Sequence, residues 1–324
     1  MNNLFDRSSQ QEFTWQSKHI KFFLNLKGIG PSAVEKIIEI NPDIEQWDRE
    51  YVASQSTNYE KTMQLLKDVE EIPSLQELSI DEVIHFKHPL YPKKLLSMKK
   101  NKPLLLWYVG NLNIEKSIAV VGSRKMITET AEVVDKFVEV ASSLNFSIVS
   151  GLANGVDEKA HISALENNAK TVAVLPSSLD NILPVSNKGL ANEIVEQGGL
   201  LLTEYPPGSP KKPENSNYLM RNRIQAGISD AVFVAQSAID GGTMTTAKHA
   251  IDNEKRIITY KSEKDIVEYS GNRVLTNYLD FDNEIQIKLS KFQKELIAKK
   301  NNVISDFAFK TIDQIENIVY KILQ

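Results

Sequence analysis

The sequence predicts an α/β protein: a doubly wound, mostly parallel sheet with helices on both faces, preceded by a small helical domain. Three observations carry this. Between Ser117 and Tyr260, six short β-rich runs alternate with helical patterns. Most of those runs are unbroken apolar stretches, as expected of strands covered by helices on both faces. Strand–helix alternation at this spacing implies right-handed crossovers between parallel strands.

The strand candidates are, in order, SIAVVG, FSIVSG, TVAVLP, GLLLTEY, AVFVAQ and RIITY. Helix candidates begin near Thr128, Val156, Lys188, Tyr218 and Thr243. Ahead of them, residues 85–111 form a Pro- and Lys-rich connector that ends in the apolar run Leu104 to Val109, read as an edge strand. Residues 20 to about 75 read as helical, because Phe22, Phe23, Leu26, Ile29, Val34, Ile37 and Ile38 recur at roughly helical spacing. Residues 285–324 read as amphipathic helices with lysines on one side. The expected division is a helical domain over 1–80, an α/β domain over 81–285 and a helical segment over 286–324.

Composition narrows the function. Hydrophobic residues make up 41% and charged residues 25%, ordinary values for a globular chain. There is no cysteine, which excludes disulfides and thiolate metal sites, and no pair of the five histidines has a zinc spacing, so no metal site is expected. No secretion signal opens the sequence and no apolar run approaches the ~20 residues of a membrane span, so a cytoplasmic location without membrane contact is the expectation. A net charge of −4 requires any anion site to be a local patch. Two basic clusters stand out: Lys87, Lys93, Lys94, Lys99, Lys100 and Lys102, and then Lys211, Lys212, Arg221 and Arg223. A lysine run alone is more often a solvated face than a binding site.

In an open parallel sheet, ligands bind beyond the carboxyl ends of the strands. The loop after the first strand is Gly122-Ser123-Arg124-Lys125, where a glycine permits close approach and arginine offers a fork suited to phosphate. After the second comes Ser150-Gly151-Leu152-Ala153-Asn154-Gly155-Val156-Asp157. Asp157 and His161 stand four apart on one helix face; a helix cap with a hydrogen-bonded histidine is a better reading of them than an acid–base pair. After AVFVAQ comes Gly241-Gly242-Thr243, a glycine turn into a helix start, and ahead of that strand Asn217, Arg221, Asn222 and Arg223 lie near another. Neither the dinucleotide-binding nor the NTPase glycine motif is present, and no cofactor is expected. Near the N-terminus, Lys27, Gly28 and Gly30 sit in a turn that resembles a helix-hairpin-helix, which is either purely structural or a second DNA contact through backbone amides.

Together these motifs resemble the DNA-processing protein A (DprA/Smf) family over roughly residues 80–260. The resemblance rests on HPLYPKKL, VVGSRK, SGLANGVDEKAH, the Leu-Pro of NILPVSN, LLTEYPPGSP, RNRIQAGISDAV and GGTMTTAKHA. It implies an extended Rossmann-like domain that binds single-stranded DNA, a SAM-like or helix-hairpin-helix N-terminal domain, a homodimer, and transfer of the strand to the RecA recombinase in natural transformation (competence) or related recombination. It implies no catalysis. Positions matching the family's DNA-contacting motifs are Gly122, Ser123, Arg124, Ser150, Gly151, Asn187, Asn217, Arg221, Asn222, Arg223, Gly242 and Thr243. Of these, Arg124, Arg221 and Arg223 are expected to converge on one strand's phosphates. The chain departs from the family at Pro176-Ser177-Ser178, where a glycine-rich turn is usual, and at Leu183 and Leu219. A nucleotide-sensing or nucleotide-hydrolysing protein of similar fold is the alternative. Hydrolysis lacks the glutamate that related enzymes carry shortly after the glycine pair, here Gly241-Gly242-Thr243-Met244-Thr245-Thr246-Ala247-Lys248.

Overall fold

Runs of Val, Ile, Leu and Ala form the strands, and Gly, Asn and Pro punctuate them, in the computed structural model of the chain, which describes residues 17–44, 47–69, 83–99, 101–276 and 305–323. The chain divides into two compact units: Met1–Tyr91 with Lys100–Leu106, and Pro92–Lys99 with Trp107–Gln324.

The first unit holds four helices, α1 (Ser17–Asn25), α2 (Pro31–Ile40), α3 (Arg49–Gln55) and α4 (Tyr59–Leu66), and a short strand β1 (Val83–His85). Gly28, at φ +86°, makes the turn between α1 and α2, and Pro31 opens α2 where its missing N–H costs nothing. Asp48 and Asn58 cap α3 and α4 by accepting from the N–H groups of Tyr51 (2.7 Å) and Lys61 (3.0 Å). Ile20, Phe23, Val34, Ile37, Ile38, Val52 and Leu66 are buried there. Beside β1, the Phe86 N–H donates to Leu104 O (3.0 Å), so the run 104–109, expected at an edge, has a neighbour. Three residues are too few to show a period-two pattern, which hides β1 in the sequence.

The second unit is built on residues 107–110 of β2 (Leu105–Gly110), and on β3 (Ser117–Gly122), β4 (Ser147–Ser150), β5 (Thr171–Val174), β6 (Leu200–Thr203), β7 (Ala231–Gln236), β8 (Arg256–Tyr260) and β9 (Phe307–Phe309). Their order is β2-β6-β5-β4-β3-β7-β8-β9. The β2–β6 pair is antiparallel and the other pairs are parallel. The helices are α5 (Lys93–Leu96), α6 (Thr128–Ser143), α7 (Val156–Glu166), α8 (Lys188–Glu196), α9 (Asn215–Ile228), α10 (Thr243–Asp252), α11 (Ser270–Thr276) and α12 (Ile315–Ile322). Ile118 and Val120 of β3 join one core with α6, α7 and α12, while α9 and α10 contact β3 and β7. Alternation along the strand sends Ala119 and Val121, also buried, to the other face. Phe137, Phe233 and Phe309 stack at the centre of the first core, with centroids 4.0 Å apart for the first pair and 5.6 Å for the second.

One reading changes at the carboxy-terminal end and one left open is decided. Phe307–Phe309 is a strand, pairing in parallel with β8, where helix was expected; its two aromatics fit a pleated surface. Ile318 and Val319, which by sequence suit a self-association surface and a core equally, are buried in the core. Phe292 and Leu296, which could have served likewise, lie outside the described residues.

Candidate nucleic-acid interface

The sheet reverses direction at β3: the chain runs from β3 to β4, β5 and β6 on one side, then returns to β7 and β8 on the other. The carboxyl ends of β3 and β7 therefore flank the topological switch point, where doubly wound sheets bind ligands. A cleft of ≈ 320 Å³ opens there. Its walls come from the loops after β3 (Gly122, Ser123, Arg124) and β7 (Ser237, Gly241, Gly242, Thr243), and from α9 (Tyr218, Arg221, Asn222).

Glycine sets how closely these walls meet. A Cβ on Gly122 would lie 2.6 Å from Val156 Cγ2, and one on Gly155 would lie 2.5 Å from Ser123 O. Gly155 has φ +84°, and the next N–H, that of Val156, donates to Ser123 O (3.2 Å). The turn into α7 thus supports the loop that carries Arg124. Arg124 is exposed, with its guanidinium 5.0 Å above the Tyr218 ring.

The three expected arginines divide. Arg221 lines the same cleft as Arg124, but it is buried, and its Nη1 donates to Gly151 O and Val174 O (both 2.6 Å). Arg223 is buried as well, pairing with Glu204 (2.5 Å) and donating to Met220 O (2.9 Å), and it is not among the cleft's walls. Of the three arginines expected to converge, Arg124 and Arg221 line one cleft and Arg223 does not. Helical spacing put two arginines near a helix start, but only packing decided which surface each side chain met.

Other expected contacts are also directed inward. The Ser150 hydroxyl donates to Val120 O (2.7 Å), Asn187 Nδ2 to Leu152 O (3.0 Å) and Asn222 Nδ2 to Gly242 O (3.3 Å); all three residues are buried. They hold the loops around the cleft. Asn217 is half-buried in the first turn of α9, where its Oδ1 accepts from Ser216 (3.4 Å). Gly242 is exposed and Thr243 half-buried at the start of α10, both on the cleft wall. In the Pro176-Ser177-Ser178 loop both serines are buried, and neither lines the cleft. In the first unit, Lys27, Gly28 and Gly30 are exposed on the α1–α2 hairpin.

Asp157 lines the cleft wall, and His161 sits behind it. Asp157 is not the cap of α7, a position held by Gly155. Burial pushes its carboxyl up from the usual range; the Arg221 guanidinium and the N–H groups of Ala153 and Gly151 act against that. His161 bonds Thr171 rather than Asp157: Nδ1 lies 2.7 Å from Thr171 Oγ1, which itself donates to Ile148 O, so Nδ1 carries the hydrogen. Burial, aided by Arg221, pulls the imidazole down to about 3, so it is neutral at ordinary pH. The first basic cluster largely resolves into ion pairs, Lys94–Asp230 (2.7 Å), Lys99–Glu254 (2.5 Å) and Lys102–Glu35; Lys100 lies outside the described residues.

Sequence reading missed Tyr218, Gln225 and Ser237 as cleft residues. Tyr218 had a signal, since it stands three residues before Arg221 and so shares its helix face. Among the described residues, no cluster of three or more histidines and carboxylates could hold a metal ion, and no helix is long and apolar enough to cross a membrane.

Comparison with known proteins gives a consistent picture. Residues 82–278 match the family model of the DNA recombination-mediator protein A. Protein Smf of Synechocystis sp. is 36% identical over 189 residues, which are 56% of this chain and 46% of that protein. Protein Smf of Borreliella burgdorferi is 32% identical over 225 residues (69% and 65%), and the DNA processing protein DprA of Streptococcus pneumoniae 37% over 164 residues (50% and 57%). The chain thus spans about half to two-thirds of the length of these relatives. The solved structure of the Streptococcus pneumoniae protein matches with a TM-score of 0.66 at 25% identity, covering 93% of this chain and 97% of that one. A second, the DNA processing protein A of Helicobacter pylori studied for its single-stranded DNA binding, matches with a TM-score of 0.56 at 24% identity (74% and 96%).

Proposed function

Because the chain belongs to the DNA recombination-mediator protein A family, we propose that its cleft holds single-stranded DNA and that the protein shields the strand and delivers it to a RecA-type recombinase. The observation that carries this reading is the exposed Arg124 at the mouth of a cleft on the topological switch point, beside the glycine turn into α10. A guanidinium stacked on Tyr218 suits a phosphate and leaves an aromatic face beside it.

In this reading Arg124 and Ser123 touch the strand, with the backbone at Gly122, Gly242 and Thr243 approaching it and Asn217 at the rim. Arg221 and Asn222 line the site with buried side chains, and Ser150, Gly151, Asn187 and Arg223 shape it from behind. The protein acts as a binder and not as an enzyme: Asp157, the carboxylate on the cleft wall, faces Arg221 and backbone N–H groups. The α1–α2 hairpin with Lys27, Gly28 and Gly30 provides a second DNA contact, the working form is a homodimer, and the setting is cytoplasmic. The helical domain over 1–80 and the DNA-binding domain over 81–285 remain the proposed division of labour; of the segment over 286–324, β9 and α12 belong to the sheet and core of the second unit.

Titration with labelled single- and double-stranded oligonucleotides at several salt concentrations tests this. Affinity for the single strand should exceed that for the duplex and fall with salt, with a log–log slope of ~0.7 per phosphate contacted. Arg124→Ala should weaken binding and flatten the slope by about one such increment. Wild-type affinity in a folded Arg124→Ala variant, or no binding by the wild type, overturns the reading. Release of free base from nucleoside monophosphates would overturn the non-enzymatic part.

A further inference from the structure

The loop that presents Arg124 has few apolar anchors of its own: Ser123 is half-buried, Arg124 and Lys125 are exposed, and Met126 and Ile127 are half-buried. A segment of this kind holds one conformation only if its backbone polar groups are tied down. Gln236, the last residue of β7, ties down three of them, those of Ser123, Lys125 and Ile127. It is fully buried, and the β3–β7 register shifts by one residue at this point, so that Gly122 faces Gln236.

From there Gln236 grips the loop at three points and the first turn of α6 at a fourth. Its carbonyl accepts from the Ser123 N–H (2.9 Å). Its side-chain Nε2 donates to Lys125 O (2.9 Å), and Oε1 accepts from the Ile127 N–H (3.1 Å) and the Thr130 hydroxyl (2.8 Å). The backbone partners fix the amide's orientation, since Lys125 O can only accept and the Ile127 N–H can only donate. Thr130 has given its hydrogen to Gln236, so the Tyr269 hydroxyl, 2.7 Å away, donates to Thr130. A directional chain therefore runs from Tyr269 through Thr130 and Gln236 to the carbonyl next to Arg124.

We propose that Gln236 is the positioning residue of the cleft, holding the 123–127 loop so that Ser123 and Arg124 meet the ligand in one fixed geometry. This rests on the reading of the cleft as a strand-binding site. Gln236 is not itself a cleft-lining residue, and its contribution passes through the loop. No apolar side chain of similar volume could replace it, because the Lys125 carbonyl and the Ile127 N–H would both lose their partner.

A double-mutant cycle on the full-length protein tests this, using fluorescent oligo(dT) as the probe and thermal unfolding as the check on folding. Gln236→Met should weaken binding about tenfold in the wild-type background and less than about twofold in the Arg124→Ala background, because an arginine that is absent cannot be mispositioned. A loss of the same size in both backgrounds marks a general structural effect and overturns the proposal, as does an unchanged affinity. If Gln236→Met folds poorly, Thr130→Val, which removes only the hydroxyl bonded to Oε1, enters the same cycle with the same two criteria. Arg124→Ala measured alone separates the levels. If it weakens binding while the Gln236 variant does not, only the positioning role fails; if the wild type does not bind, the strand-binding reading fails first.

Discussion

Gly151 and Arg221 are in direct contact: Arg221 Nη1 donates to Gly151 O at 2.6 Å, and a Cβ built on Gly151 would stand 1.7 Å from that nitrogen. The glycine after β4 is thus required by a buried guanidinium from α9, seventy residues later, and not by the approach of a ligand. That arginine also reaches the O of Val174, the last residue of β5, so one side chain ties together the carboxyl ends of two neighbouring strands.

Gly151→Ala is expected to destabilise the protein by about 1–3 kcal/mol, the usual cost of forcing atoms into a packed interior. Gly242→Ala is the counterpart, because a Cβ there meets nothing within 4 Å. Its stability should stay within about 0.5 kcal/mol of wild type, while DNA affinity falls as the new methyl group stands where the strand approaches. Urea unfolding and oligonucleotide titration of both variants check the pair of outcomes.

Arg124→Ala and Arg221→Ala should separate in the same two measurements. The first removes an exposed side chain and should leave the melting temperature nearly unchanged while affinity drops. The second leaves the buried Asp157 carboxyl without the cation that acts on it, and should cost about 3–5 kcal/mol. Adding Asp157→Asn to Arg221→Ala should recover part of that loss.

Acid sensitivity should trace to buried histidines. The pKa of His161 is lowered in the folded protein from 6.5 to about 3, so between those values the unfolded chain binds a proton that the folded chain does not. Its contribution to stability is complete above pH 6.5 and is lost as pH falls, by about 1.4 kcal/mol per pH unit. His85 and His249, both lowered to about 4, act in the same direction. Asp157, shifted upward, acts in the opposite sense. His161→Gln should therefore lower stability at pH 7, yet show a shallower decline between pH 6 and 4.5 in urea unfolding.

Phe233→Ala should cost about 3–5 kcal/mol, since it removes the middle ring of the Phe137–Phe233–Phe309 stack. Phe309 lies on β9, so the same variant should loosen the carboxy-terminal strand, visible as faster amide exchange at residues 307–309.

The sequence alone determined the scaffold. Each of the six strand candidates forms a strand, and four of the five helix starts fall on the stated residue; α9 begins at Asn215 rather than near Tyr218. Period and composition are local properties, written within a dozen residues, and a sheet covered on both faces leaves them little freedom. The location of the cleft was legible for the same reason, because strand order and the carboxyl-end rule follow from topology. What the tertiary structure decided is which polar groups face outward. Arg124, Arg221 and Arg223 are the same residue type in motifs of similar look, yet one is exposed over Tyr218, one is bonded to two carbonyls, and one is paired with Glu204. Gln236 ends an apolar strand with nothing in its neighbourhood to mark it, and its partners lie more than a hundred residues away in the chain. A hydrogen bond depends on positions accurate to a few tenths of an ångström, and long-range packing sets those positions after local patterning has chosen the elements.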